Sequence, residues 1–80
     1  MDNSKKVIKT LEKVLKNNPG AKTGIAQIIR QVELARQRGS ANTEYARILT
    51  ENLMMLGMTG AISRDDFLAL NELGRECAFE

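Results

Sequence analysis

The sequence predicts an all-α protein, a small four-helix domain with short antiparallel connections, and three observations lead there. Apolar residues recur at helical spacing in four separate stretches. Glycine, proline or a capping residue stands between each stretch and the next. No stretch alternates apolar and polar residues as a half-buried strand does. Eighty residues make one domain, spanning 1–80, whose single core leaves only a few kcal/mol of net stability.

The first helix is expected over about 4–17, with Val7, Ile8, Leu11, Val14 and Leu15 on one stripe and Asn3 or Ser4 as its cap. Asn17-Asn18-Pro19-Gly20 ends it, because Pro19 pushes Asn18 out of helical geometry and has no amide to donate. The second helix is expected over about 23–38, capped by Thr23, with Ile25, Ile28, Ile29, Val32 and Ala35 inward. Gly39 closes it as a left-handed residue, after Arg36 and Arg38 where cations complement the helix dipole.

A third helix, expected over about 43–56, starts from Ser40 or Asn42 and ends at Gly57 or Gly60. Its inward stripe is Tyr45, Ile48, Leu49, Asn52 and Leu56, flanked by Leu53 and Met55. The fourth, over about 64–78, has the sharpest start: Ser63 and Asp66 form a capping box, and Ile62 with Phe67 a hydrophobic staple. Phe67, Leu70, Leu73, Gly74, Cys77 and Ala78 follow as its inward stripe.

Composition narrows the function classes. Cys77 is the only cysteine and there is no histidine, so the usual zinc set and an internal disulfide are both excluded. The reading is non-enzymatic, with no catalytic, metal or cofactor-binding residue assigned. Ser63 serves as a cap, and the Cys77 thiol on the buried stripe, near Glu76 and Glu80, is raised in pKa instead of activated. Asp65 and Asp66 diverge by about 100° on a helix and do not converge on a metal. The Gly20-Ala21-Lys22-Thr23-Gly24 loop lacks the glycine spacing and preceding strand of a phosphate loop.

No apolar run approaches the roughly 20 residues that span a bilayer. With the lone cysteine and no leader, the chain is expected in the cytoplasm, away from membranes and without a small-molecule substrate.

Charge is divided along the chain. Residues 1–40 hold nine bases against three acids, and residues 41–80 three bases against seven acids. Lys5, Lys9, Lys13 and Lys16 recur on one side of the first helix, a candidate surface for an anionic partner. The scarcity of aromatics (Tyr45, Phe67, Phe79) argues against stacking platforms for single strands. Asp65, Asp66, Glu72 and Glu76 disqualify the fourth helix as a reader of DNA.

Four apolar residues fall off the inward stripes: Leu34, Met54, Leu68 and Phe79. With Met54, Met55 and Met58 as adaptable contacts, they mark an expected interface; Asn52, an amide within the apolar stripe, is expected first to bond a nearby loop carbonyl and in the alternative to pair across a twofold axis there. The expectation is a homodimer formed through the third and fourth helices. It binds another protein as a regulator, inhibitor or adaptor, in the manner of a bacterial or phage accessory protein. The alternative is a nucleic-acid-binding regulator that uses the basic face of the first two helices.

Overall fold

The computed structural model describes residues 3–79 and is a bundle of four helices: α1 (Ser4–Asn17), α2 (Lys22–Gln37), α3 (Asn42–Met58) and α4 (Arg64–Ala78). No strand occurs among the described residues. Glu80, expected beside Cys77, lies outside them. The inward stripes meet in one core, where Val7, Leu11, Ile25, Val32, Tyr45 and Cys77 are wholly buried.

The helix α3 is covered on two sides. Its Leu56 approaches Gly24 of α2, where a Cβ would stand 3.2 Å from Leu56 Cδ2, and its Leu49 lies against Gly74 of α4. That double contact widens its apolar face. Leu53, expected at the flank, is buried with the core, whereas Met55 is exposed.

Two helices end alike. Gly39 (φ 72°) follows α2 and Gly60 (φ 67°) follows α3, each in the left-handed region that favours glycine. After α2, Ser40 N–H donates to the Ala35 carbonyl and Gly39 N–H to that of Arg36; after α3, Ala61 and Gly60 donate to Leu56 and Gly57 in the same pattern. Gly60 is therefore the stop, and α3 runs two residues past the expected 56 with Gly57 inside it.

Two expected caps are corrected. Helix α2 starts at Lys22, not at 23 with Thr23 as cap, because Pro19–Ala21 coils into a 3-10 turn that feeds directly into it. Ala41, not Ser40 or Asn42, is the N-cap of α3. The Asn42 side chain instead accepts from the Asn3 backbone N–H at 2.9 Å, tying the start of α1 to the start of α3. Asn3 holds the N-cap position of α1 without a side-chain capping bond; its amide lies 3.9 Å from the Cys77 sulfur.

The start of α4 is half as expected. Ser63 Oγ accepts from Asp66 N–H at 3.2 Å, which is one arm of the capping box. The other arm is supplied from α1: Ser63 N–H donates to Asn18 Oδ1 at 3.0 Å, and Asn18 Nδ2 donates to Asp66 Oδ2 at 2.6 Å and to the Val14 carbonyl at 2.8 Å. Asn18 thus terminates one helix and clamps the first turn of another.

Candidate functional site

The α3–α4 corner carries a groove of about 420 Å³ lined by Met54, Gly57, Met58, Ile62, Arg64 and Phe67. Its walls follow from the two helix ends. Met54 and Met58 stand one turn apart on α3 and are 67% and 82% exposed. Ile62 and Phe67, the staple pair, form the opposite wall, and Arg64 is its charged group. Gly57 allows the close approach, for a Cβ there would sit 2.6 Å from Phe67 Cε2. Phe67, expected on the inward stripe, is half-buried because its ring lies over Gly57.

The outward face of α3 divides by chemistry. Arg47, Glu51, Met54 and Met58 follow one another at i, i+4, i+7 and i+11. The charged part closes on itself: Arg47 bonds Glu51 at 2.9 Å and also pairs with Glu44. Hydrogen bonding from Arg47 is the chief cause holding the Glu44 carboxyl below its ordinary pKa. Whatever stability this exposed pair adds is present above the ordinary carboxylate pKa and fades as pH falls through the lowered one. Replacing Arg47 with Gln should raise the Glu44 midpoint in an NMR titration; an unmoved midpoint would contradict the pairing.

Of the residues expected at the interface, Met54 and Met58 line the groove. Leu68 follows Phe67 on α4 and is exposed. Phe79 is 85% exposed beside Glu72, Arg75 and Glu76, about 22 Å along the α4 axis from Arg64. Leu34 is exposed on α2, where no other large exposed apolar residue lies. Asn52 is half-buried: its amide donates to the Ile48 carbonyl at 2.7 Å and reaches Gln31 of α2 at 3.4 Å. Phe67 was expected in the core and not at a surface groove, and Arg64 is the lining residue to which the sequence assigned no role. The i, i+4 spacing of Met54 and Met58 was the available signal.

Lys5, Lys9, Lys13 and Lys16 are all exposed on α1, and none forms an ion pair with a described residue. Lys6, which lies off that stripe, bonds Glu76 of α4 at 2.8 Å, so the basic and acidic halves of the chain meet within one molecule there. Cys77 is buried. Among the described residues no group of three or more His, Cys, Asp or Glu side chains could hold a metal ion, and no helix is long and apolar enough to cross a membrane. Comparison with family models, curated proteins and solved structures finds no match to this chain.

Proposed function

We propose that this chain is a non-enzymatic protein-binding domain, a regulator, inhibitor or adaptor, whose groove takes the apolar edge of a helix from a partner protein. One observation carries the reading: Met54, Met58 and the Phe67 ring surround an apolar trough that the molecule's own core leaves uncovered. Burying one such side chain stabilises by about 1.5–3 kcal/mol, and methionine adapts to the shape it meets. An open trough covers little of a small molecule, whereas a helix brings its own second wall and presents anchors at i, i+3 or i+4 and i+7. Arg64 then favours a partner helix with an acidic residue beside its apolar anchors.

A photo-crosslinker placed at Met58 in cells that make the protein tests this. One dominant adduct, with a protein identified by mass spectrometry and lost when Met54→Glu is added, is the expected result. Adducts identical to those from a crosslinker at Lys13, or unchanged by Met54→Glu, would sink it. An adduct of two copies of this chain assigns the groove to the homodimer through α3 and α4 instead. Sedimentation should then show that dimer, weakened at least tenfold by Met54→Glu.

A further inference from the structure

We propose that the outward face of α1 docks on the phosphate backbone of duplex nucleic acid without reading its sequence, a second surface independent of the groove. Lys5, Lys9, Lys13 and Lys16 present four exposed ammonium groups, none paired with a described residue, over about 16 Å of helix. A duplex carries one negative charge per roughly 1.7 Å of axis, so the stripe meets more phosphates than it has charges. Like charges four residues apart repel by a few tenths of a kcal/mol per pair, and a polyanion relieves that repulsion.

The rest of the face selects this partner over two others. Among the described residues every large exposed hydrophobic residue lies on α2, α3 or α4 or just after α4, and none on α1. The face therefore lacks an apolar wedge for a membrane interface and an apolar or aromatic anchor for a protein hot spot. Phosphate contact requires neither; lysine acts there as a point charge. With no arginine on α1, the bidentate group that most often reads guanine edges is missing, which makes the contact indifferent to sequence. Lys22 and Arg30, both exposed on α2, are candidates to extend it.

Fluorescence anisotropy with a labelled mixed-sequence DNA duplex of about 20 base pairs tests the assignment across about 50–200 mM salt. Four phosphate contacts give a log–log salt slope of about −3.6, a loss of affinity of roughly 150-fold over that range; six contacts give about −5.4. A duplex of scrambled sequence should bind equally. Lys9→Gln with Lys13→Gln should halve the four-contact slope, and all four lysines to Gln should abolish binding, each variant melting as the parent does by circular dichroism. Arg75→Gln on α4 should change nothing. No binding at the lowest salt, or a quadruple variant that binds like the parent, overturns the proposal. So does displacement of the duplex by polyglutamate at equal charge, which would assign the face to an acidic protein. Because Met54→Glu leaves α1 untouched, its effect on the groove and the lysine result fail or succeed separately.

Discussion

Asn18→Asp should destabilise this protein more than Asn18→Ala, although it is the closer isostere. Alanine removes three side-chain hydrogen bonds of Asn18, two that join the end of α1 to Ser63 and Asp66 and one to the Val14 carbonyl. Such bonds contribute about 0.5–1.5 kcal/mol each and more when the acceptor is charged, but Ser63 is exposed and water replaces part of the loss. The expected cost is about 2 kcal/mol, or a fall of roughly 8–16 °C in melting temperature for a domain of this size. Aspartate keeps the acceptor for Ser63 N–H but loses both donor bonds and sets a second carboxylate where an amide stood 2.6 Å from Asp66 Oδ2. It also places negative charge at the C-terminal end of the α1 dipole.

About 3 kcal/mol is therefore expected for the aspartate variant near neutral pH, and the excess over alanine has a definite pH signature. Repulsion raises the folded-state pKa of the new carboxyl above its unfolded value of about 3.9. The excess penalty is absent below that value and grows as pH rises to and through the raised one. Thermal melts of both variants from pH 3 to 7 decide it. An Asp variant as stable as the Ala variant throughout would mean that Asn18 does not clamp α4.

The fold was legible because helix formation and burial are written in short-range spacing. The stripes through Val7, Ile25, Tyr45 and Leu70 enter the core as their periodicity requires, and Gly39 and Ser63 end and begin helices where expected. What escaped depends on residues distant in sequence. Asn18 and Ser63 are 45 positions apart, and Asn3 and Asn42 are 39 apart. A polar residue that could cap locally gives no sign that it will instead bond another helix. Ala21 and Ala41 hold N-cap positions with no capping side chain, so nothing at those positions announced them.

The candidate site divides in the same way. Exposure of Met54, Leu68 and Phe79 follows from the helical wheel, yet the wheel says nothing about whether residues on different helices share a surface. Only the end of α3 and the start of α4 bring Met58 and Phe67 together, and they do so because position 57 lacks a side chain. The lysine stripe, by contrast, lies on one helix and was readable whole.

Two glycines inside helices should respond to alanine with opposite signs. Gly74 is buried in α4, and a Cβ there meets Leu49 Cβ at 3.8 Å, an ordinary contact with no atom displaced. Gly74→Ala gains about 1 kcal/mol, since alanine lowers the conformational entropy of the unfolded chain and favours the helix, and the melting temperature should rise by about 4–8 °C. Gly57→Ala gains the same helical preference, but its Cβ would lie 2.6 Å from Phe67 Cε2 and 2.9 Å from Cδ2. The ring must swing out of the groove, and overpacking of this kind costs about 1–3 kcal/mol, so the net change is a loss of about 1 kcal/mol. Ring-current shifts on the Met54 and Met58 methyl groups should collapse in Gly57→Ala and persist in Gly74→Ala. Unchanged shifts in the first variant would place the Phe67 ring elsewhere and remove the wall on which the groove depends.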